Sequence, residues 1–371
     1  MAQQAVPEEP AVVSVGPAPV GRVARSCDEF SPLREVIVGD ASNAQIPVRD
    51  RSMWLNLYGD MPGSELARVR TGRFPSRVVE QTNEDLHILI DTLRGLDVTV
   101  HQVSAVDHSR AFGTGYWQSD GFYSYCPRDL ALVIGSLIIE TPSPVRARYF
   151  EMFGLRELFQ RYMLAGSTWI AAPKPQLRDA LFQTDDNGLP RLADLEPVFE
   201  AANVLRCGRD LLYQVSASGN ELGRVWLERL LNLYGDFTVH PLRGIYGLTH
   251  IDSTISFLRP GLVLLNPARV NEANMPHALR GWDVIWCPPM AETPASVRNP
   301  LSSEWIGMNL LMVNPELAIV DATQHKLINA LERHGISTLP LTLRHARALG
   351  GGFHCVTLDV IRDGELCRYF D

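Results

Sequence analysis

A cysteine and a histidine follow three consecutive glycines near the end of the chain. The glycines occupy positions 350–352, and His354 and Cys355 come directly after Phe353. Glycine tolerates positive φ and lets the backbone approach a ligand closely, so this loop could present the Cys355 thiol as a nucleophile. We expect its proton partner to be His250 rather than His354, because adjacent side chains along a strand point to opposite faces.

Several acidic residues that each precede a short apolar segment could bind a cationic substrate. Asp129, Glu200 and Asp252 each lie just before a short apolar segment, and Asn203 stands at the start of one. Two aspartates suit a planar guanidinium, because paired charge-assisted hydrogen bonds match its N–H donors. Any one of these residues alone is more often a cap, a turn residue or a satisfied buried group. The prediction therefore depends on all of them meeting in one pocket.

The elements predicted around these residues repeat five times. Each copy has the order strand, strand, helix, strand, because short apolar or alternating segments flank a stretch with helical spacing. The copies lie at residues 130–172, 203–242, 253–287 and 308–341, and the fifth joins residues 355–362 to residues 35–103. Units that cannot bury their own faces must stack or close, and pairing of the two terminal segments would remove the exposed edges.

The repeat predicts one domain over residues 26–371, folded as a five-bladed pseudo-symmetric α/β propeller of ββαβ units. In that fold equivalent positions converge on a common axis, which would place the thiol, the imidazole and the carboxylates in one pocket. The alternative is an ordinary doubly wound sheet in two domains. Residues 1–25 lack helical or strand periodicity and are predicted to be a disordered tail.

Two of the predicted helices have different sequence support. Ser143 followed by Pro144 is a favourable helix start, and the helix is predicted to run to about Leu164. In the third copy the helical pattern is weak and falls near residues 271–279.

Composition narrows the possible partners. The 371-residue chain has 34 basic and 42 acidic residues, a formal charge of −8, and no block of Lys and Arg. A net negative chain without a basic block binds the phosphate backbone of a nucleic acid poorly. We therefore expect no nucleic acid partner and favour a small, cationic substrate. No apolar stretch is long enough to cross a bilayer, and we expect neither a membrane partner nor a secretory signal.

The six cysteines are scattered, without the spacing of a zinc site or a redox motif. We expect them to be reduced thiols, mostly buried, in a cytoplasmic protein.

From residue 30 onward the sequence resembles the arginine:amine amidinotransferases. The family includes glycine amidinotransferase and, closer in its motifs, the inosamine-phosphate amidinotransferases of aminoglycoside pathways. The resemblance is carried by residues 32–39, 126–129, 171–175, 196–203, 218–223, 250–254, 305–309 and 349–355. The family fold is a pentein-type α/β propeller with five-fold pseudo-symmetry, which agrees with the repeat.

The resemblance implies a ping-pong transfer from L-arginine to an unidentified acceptor amine, without a metal or organic cofactor. Cys355 would carry the amidino group, L-ornithine would leave, and His250 would act as acid and base. Asp129 and Asp252 match the guanidinium-binding positions. Other matched or adjoining positions expected to bind substrate are Arg269, Ser302, Ser303 and Asn203. The resemblance also implies a role in antibiotic biosynthesis and a possible homodimer.

Glu200 departs from the family pattern, which has Asp in a Phe-Asp-Ala-Ala segment. In the family that carboxylate orients the catalytic histidine or touches the guanidinium. The extra methylene leaves three possibilities: a compensating backbone, a pocket adapted to another acceptor, or low activity. The loop at residues 246–249 is more similar to the inosamine-type enzymes than to the glycine-specific ones.

Two other functions are consistent with the same residues. A guanidine hydrolase would use the same cysteine, histidine and carboxylates, with water in place of the acceptor amine. A non-catalytic binding protein would retain the pocket, and only Glu200 suggests it.

Overall fold

Short strands joined by helices and 3₁₀ turns make up residues 21–53, 69–292 and 300–370, which the computed structural model describes. The strands are β1 (Leu33–Val38), β2 (Gln45–Ile46), β3 (Gly72–Arg73), β4 (Thr99–Gln102), β5 (Phe112–Gly113), β6 (Gln118–Ser119), β7 (Ala131–Ile134), β8 (Leu137–Glu140), β9 (Thr168–Ala171), β10 (Phe182–Thr184), β11 (Pro190–Leu192), β12 (Val204–Cys207), β13 (Asp210–Gln214), β14 (Thr238–Leu242), β15 (Ile255–Arg259), β16 (Leu262–Leu265), β17 (Asp283–Trp286), β18 (Leu311–Asn314), β19 (Leu317–Asp321), β20 (Ser337–Leu341) and β21 (Thr357–Arg362).

The α-helices of the described residues are α1 (Ser76–Gly95), α2 (Arg156–Leu164), α3 (Glu221–Leu231), α4 (His325–Arg333) and α5 (Ala346–Leu349). The 3₁₀ helices are Pro127–Asp129, Arg146–Arg148, Glu151–Leu155, Asp179–Leu181, Ala201–Asn203, His277–Leu279 and Glu304–Met308. No helix in these ranges combines the length and the apolar character that crossing a membrane requires.

Five three-stranded sheets within the described residues share one topology. Their strand orders are β21–β1–β4, β7–β8–β9, β12–β13–β14, β15–β16–β17 and β18–β19–β20. In each sheet the middle strand pairs antiparallel with the first and parallel with the third. The five predicted copies are therefore present, and the alternative of one doubly wound sheet is wrong.

The first sheet joins the two ends of the chain. β1 pairs with β21 in a register that places Val38 opposite Thr357 and Val36 opposite Asp359. Val36 and Val38 are fully buried, as expected for a middle strand covered on both faces. The copy predicted to be split between the termini is thus confirmed.

Helices connect the middle strand to its parallel neighbour in four of the sheets, through α1, α2, α3 and α4. Asn220 caps α3, because its side-chain oxygen accepts a hydrogen bond from the Gly223 amide. α4 buries Leu327 and Leu331 at a spacing of one helical turn and exposes its charged side. These elements follow the predicted pattern closely.

The helix predicted near residues 271–279 is wrong, since the structure has only the 3₁₀ turn His277–Leu279 there. The Asn271 side chain accepts hydrogen bonds from the Ala273 and Asn274 amides, and the Asn274 side chain accepts one from the Asn271 amide. Such local bonds compete with helix formation.

The helix predicted after Ser143, with Pro144 as its first residue, begins twelve residues late, at Arg156. Ser143 caps no α-helix: its Oγ accepts from the Val145 amide at 3.1 Å and donates to Glu200 Oε1 at 2.8 Å, and the chain continues into the 3₁₀ helix Arg146–Arg148. The intervening chain forms two 3₁₀ helices that bury the side chain of Arg148.

Neighbouring sheets pack against one another through shared apolar clusters. β21 contacts β7, β1 contacts β18, and β12 contacts β15. Leu132 of β7 and Val204 of β12 belong to one buried cluster, and Phe257 of β15 and Met312 of β18 belong to another. Each sheet therefore meets two others.

Most of the predicted tail, residues 1–20, lies outside the described residues. Ala24 is fully buried and its amide donates to Ser167 Oγ, while the Arg25 amide donates to the Val360 carbonyl. The chain is therefore packed against the fold from Ala24 onward, two residues earlier than predicted.

Candidate active site

Cys355 lies buried just before β21 and is fixed by Asn309. The Asn309 Nδ2 donates to Cys355 Sγ at 3.2 Å, and its Oδ1 accepts from the Cys355 and His354 amides. Gly352 permits this approach, because a Cβ there would lie 2.7 Å from Asn309 Oδ1. Gly350 ends α5 with φ of 83°, in the left-handed region. The glycine run thus serves close packing around the thiol.

Asp252 connects this thiol to a second histidine. Asp252 Oδ2 lies 3.2 Å from Cys355 Sγ and 3.1 Å from His354 Nδ1, and His354 Nε2 lies 3.2 Å from Glu29 Oε2. Burial opposes ionisation of Asp252, but the hydrogen bond and charge of His354 outweigh it and lower the pKa of Asp252 to about 2. Asp252 is therefore an anion beside the thiol.

His250 lines the same cavity as Cys355 and has a strained backbone. Its φ is 61°, a conformation that is uncommon for residues other than glycine and that clusters at functional sites. Its Nε2 lies 2.6 Å from Glu200 Oε2, and its Nδ1 lies 3.8 Å from Asp129 Oδ1. Burial disfavours the charged ring, but Asp129 and Glu200 outweigh it and raise the pKa of His250 to about 9. The ring is protonated near neutral pH and can act as an acid.

A buried arginine joins the two carboxylates that flank His250. Arg148 Nη1 donates to Asp129 Oδ2 at 2.8 Å and to Glu200 Oε1 at 3.0 Å. Burial would raise the pKa of Glu200, but the charge of Arg148 and the hydrogen bond from His250 lower it to about 2. Glu200 is therefore ionised and directly orients the imidazole.

Asp129 keeps one buried oxygen, Oδ1, without a hydrogen-bond donor among the described residues, although His250 Nδ1 lies 3.8 Å away. Burial is the main cause of the raised pKa of Asp129. An unsatisfied buried acceptor is costly, so this atom favours a cationic N–H donor in the cavity.

The predicted site residues largely converge. The cavity is lined by Tyr123, Asp129, Arg148, Tyr246, Thr249, His250, Asp252, Ser253, Leu301, Ser302, Ser303, Ile306, Gly350 and Cys355. Six of the predicted residues are in that set, and Glu200 contacts it through His250.

Arg269 reaches the cavity wall through Ser303. Its Nη2 donates to Ser303 Oγ at 2.9 Å, and its Nη1 donates to Ser253 Oγ at 2.8 Å. The guanidinium lies 3.4 Å from the centre of the Tyr246 ring, a cation–π contact that fixes its plane. The loop at residues 246–249 therefore positions Arg269.

Asn203 is not brought to the cavity, which corrects its prediction as a substrate contact. It is fully buried, its Nδ2 donates to the Gln214 carbonyl and to Ser216 Oγ, and its Oδ1 accepts from Ser218 Oγ. Ser218 Oγ in turn accepts from the His250 amide at 3.2 Å. The Asn203 amide is thus hydrogen-bonded to protein groups, and through Ser218 the residue supports the loop that carries His250.

Sequence reasoning missed three residues that shape the site: Arg148, Asn309 and Tyr246. For Arg148 a signal was present, because a helix from Ser143 would place it on the same face as Met152 and Leu155. An arginine on an apolar face implies a paired, buried cation. Asn309 and Tyr246 belong to segments marked by the family resemblance, residues 305–309 and 246–249, but no role is predicted for either side chain.

Comparison with known proteins agrees with the site. No family model matches the chain. It is 49% identical over 342 residues to inosamine-phosphate amidinotransferase 1 of Streptomyces glaucescens, covering 92% of this chain and 97% of that protein. It is 35% identical over 359 residues to mitochondrial glycine amidinotransferase of Xenopus tropicalis, covering 93% and 84%. The solved inosamine-phosphate amidinotransferase of Streptomyces griseus has a TM-score of 0.90 at 48% identity, over 95% and 100% of the two chains.

The fold and the cavity define an α/β enzyme with a thiol, an imidazolium and several carboxylates at one site. Identity across nearly the whole length shows that the chain belongs to the amidinotransferase family, enzymes that transfer amidino groups. Its relatives at about half identity are of the inosamine-phosphate type.

Proposed function

We propose that this enzyme moves the amidino group of L-arginine to an acceptor amine through a covalent amidino-cysteine, releasing L-ornithine. The observation that carries the proposal is the cavity shared by a buried thiol, an imidazole paired with a carboxylate, and a carboxylate oxygen without a hydrogen-bond donor among the described residues. These belong to Cys355, His250 and Asp129. No metal or organic cofactor takes part in the proposed steps.

The charge of the cavity suits a guanidinium. Four carboxyl groups in and directly behind it, Asp129, Glu151, Glu200 and Asp252, stand against the cations of Arg148 and His250. A bound guanidinium would place a cation beside Asp129 and Asp252 and favour the ionised form of both carboxyl groups. It would donate to Asp129 Oδ1 and lie beside Asp252, which holds its carbon near the sulfur.

Guanidinium binding would also activate the thiol. In the free enzyme the hydrogen bond with Cys126, burial, and the charges of Asp252 and Asp129 raise the pKa of Cys355 well above its ordinary value. A cation placed between the two aspartates offsets their charge. The thiolate is then favoured where the electrophilic carbon lies.

In the first half-reaction the Cys355 thiolate attacks the guanidinium carbon. His250 donates its Nδ1 proton to the ornithine nitrogen as the bond from the carbon to that nitrogen breaks. Ornithine leaves as an amine, and a cationic amidino group stays on the sulfur. Glu200 holds His250 through Nε2 and stabilises the charged ring, a role that the short hydrogen bond supports.

In the second half-reaction a neutral acceptor amine attacks the same carbon. The bond from the carbon to the Cys355 sulfur breaks, the thiolate leaves, and His250 takes the extra proton of the amine. The product is a new guanidinium, and the site returns to a thiolate beside an imidazolium.

Arg269, Ser302 and Ser303 are proposed to bind the amino-acid end of arginine. The stacked and hydrogen-bonded Arg269 guanidinium supports this role, because a fixed cation binds a carboxylate with little ordering cost. Ser302 and Ser303 line the cavity next to it.

An inosamine phosphate is the acceptor to test first, since three relatives at 48–50% identity are named inosamine-phosphate amidinotransferases. That acceptor would place the reaction in antibiotic biosynthesis. Glycine is the second acceptor to test, as the name of the 35% identical relative suggests.

The experiment uses arginine labelled at the guanidino carbon, with each acceptor in turn, and mass spectrometry of products and protein. We expect ornithine, a labelled guanidine on the acceptor, and one labelled amidino group on Cys355 when the acceptor is absent. Cys355→Ala is the control that forms no adduct. Citrulline with ammonia would indicate a hydrolase, and arginine binding without any product would indicate a binding protein; either result overturns the proposal.

Three further expectations belong to the same proposal. We propose that the five sheets close into a five-bladed propeller forming one domain, which the contacts of each sheet with two others support. Six free cysteines support a cytoplasmic location. A homodimer is proposed from the family resemblance, and light scattering of the purified protein tests it.

A further inference from the structure

Arg148 lies in the middle of the buried charge network, yet it takes no part in the proton and group transfers described above. We propose that Arg148 is a positioning residue that aims one oxygen of Asp129 at the substrate guanidinium and one oxygen of Glu200 at His250. This inference rests on the proposed amidino transfer and adds a residue to it. The Arg148 side chain is 2% exposed, so water takes little part in its contacts.

The geometry around Nη1 is the first argument. This single nitrogen donates to Asp129 Oδ2 at 2.8 Å and to Glu200 Oε1 at 3.0 Å. Each carboxylate thus has one oxygen tied to Arg148, and the two other oxygens point elsewhere. Asp129 Oδ1 has no donor among the described residues, and Glu200 Oε2 accepts from His250 Nε2 at 2.6 Å.

The charge of Arg148 is the second argument. Two carboxylates that share a buried site repel each other, and one of them normally takes up a proton. A cation bonded to both allows Glu200 to stay ionised, and an ionised Glu200 can hold His250 in its charged form. Without Arg148 the two carboxylates would move apart or Asp129 would be neutralised, and both functional oxygens would turn.

Arg148 is itself held rigidly, which a positioning role requires. Glu151 accepts from its Nε at 2.9 Å and from its Nη2 at 2.8 Å, and the Cys126 carbonyl accepts from Nη2 at 3.3 Å. The guanidinium also faces the Tyr123 ring, 5.4 Å from its centre. A lysine has one ammonium group and cannot contact Glu151 on one side and both Asp129 and Glu200 on the other.

Arg146 provides a matched control in the same 3₁₀ helix. Its side chain is 4% exposed, and its Nη2 donates to the Leu177 carbonyl at 2.6 Å and to Asp179 at 2.7 Å. It also faces the ring of Trp117. These partners do not line the cavity. Arg146→Lys therefore removes comparable buried contacts without touching the site.

The kinetic test compares Arg148→Lys with Arg146→Lys in single-turnover formation of ornithine and of the amidino-cysteine. We expect Arg148→Lys to slow this step about 100-fold, because misplacement of reacting groups by about 1 Å has effects of that order. We expect Arg146→Lys to stay within about threefold of wild type. Urea unfolding of both variants shows whether their losses of stability are similar.

The spectroscopic test follows His250 by NMR of histidine-labelled protein, with His250→Asn identifying its signal. The charged groups that face His250 are Asp129, Glu200 and Asp252, with Arg148 behind the first two. If Arg148 positions the two carboxylates, Arg148→Gln neutralises Asp129 and turns Glu200 Oε2 away from the ring, so the pKa of His250 should fall by about one unit; loss of the positive charge alone would raise it. Arg148→Lys should change it less.

Three results would overturn the positioning role: single turnover by Arg148→Lys within threefold of wild type, an equal loss in Arg146→Lys, or a pKa of His250 that is unchanged or raised in Arg148→Gln. Failure of the proposed function has a different signature, since wild-type enzyme would then form no ornithine. The NMR titration needs no turnover and decides the influence of Arg148 on His250 in that case too.

Discussion

Two buried charge clusters meet near Asp252, and they differ in how completely they are paired. The cavity cluster consists of Asp129, Arg148, Glu151, Glu200 and His250. The inner cluster consists of Glu29, Arg128, Arg206, Asp359 and Arg362. Arg206 alone donates to both oxygens of Glu29 at 2.8 Å and to both oxygens of Asp359 at 2.8–2.9 Å. In the cavity cluster, by contrast, Asp129 Oδ1 has no donor within the described residues.

The difference in pairing separates structural support from chemistry. In the inner cluster three arginines surround two carboxylates; although burial opposes ionisation, the arginine charges hold the pKa values of Glu29 and Asp359 well below their usual range. In the cavity cluster burial raises the pKa of Asp129, and raises that of Glu151 to about 7. In the first cluster every carboxylate oxygen accepts from an arginine, and the one cluster atom without a hydrogen-bond partner among the described residues is a donor, Arg362 Nη2. The second has an excess of carboxylates that a substrate cation would balance.

Among the changes in and around the cavity cluster, replacing the nucleophile Cys355 should have the largest effect on activity. Cys355→Ala should lower ornithine formation at least about 1000-fold, because the amidino group then has no sulfur to receive it. Thermal unfolding should change little, since one small buried side chain replaces another. The control is Cys287→Ala, a buried thiol outside the cavity. Turnover that survives Cys355→Ala would show that the cavity cluster works without a covalent intermediate.

Breaking the inner cluster should instead act on stability. Arg206→Met leaves Glu29 and Asp359 short of partners and should lower the free energy of unfolding by about 3–5 kcal/mol, as removal of one partner from a buried ion pair does. Urea titration measures the loss, and kcat per folded molecule should stay within about fivefold of wild type. Arg161→Met is the control, because its ion pair with Glu157 is exposed on both sides and should contribute about 1 kcal/mol or less. If Arg206→Met lost activity without losing stability, the inner cluster would take part in the chemistry and would not be structural support.

The repeat could be predicted from the sequence because each copy shows its own apolar strands. The pairing of β1 with β21 followed from pattern alone, and so did the helices α1, α3 and α4. The errors occurred where side chains compete with the local pattern. The Ser143 hydroxyl donates to Glu200 and accepts from the Val145 amide in a turn that leads into a 3₁₀ helix, and the asparagines before His277 bond to nearby amides.

The site could be predicted only in part. Cys355, His250, Asp129 and Asp252 have chemistry that is recognisable from residue type and position, and the cavity contains all four. The pairing of Arg148 with two carboxylates depends on a 3₁₀ turn that no local pattern announces. Asn203 has the right type and position for a ligand, but its amide is used inside the protein.

Glu200 allows a finer test of the cavity cluster. Its carboxylate spans Arg148, Ser143 and His250, and an aspartate would be one methylene too short to reach all three from the same backbone. Glu200→Asp should lower single-turnover ornithine formation about 10–100-fold. Glu200→Gln keeps the reach and removes the charge, so it should lower the pKa of His250 while Glu200→Asp largely preserves it. A wild-type rate in Glu200→Asp would mean that the backbone compensates for side-chain length.

The pH dependence of kcat/KM for arginine tests the cavity cluster without a substitution, and it reports the first half-reaction in a ping-pong scheme. The reactive form needs a thiolate and an imidazolium, one proton fewer than the free enzyme holds at neutral pH. Because the pKa of His250 is about 9 and that of Cys355 is raised above its ordinary value, kcat/KM should increase up to about tenfold per unit from pH 7 and level off near pH 9. Above that point each thiolate gained is offset by an imidazolium lost.

Among the charges that raise the pKa of His250, that of Asp129 has the largest effect. Asp129→Asn should therefore lower the pH at which kcat/KM levels off, even though arginine binding weakens. A profile that is flat between pH 7 and 9 would mean that the carboxylates of the cavity cluster do not control the proton on His250.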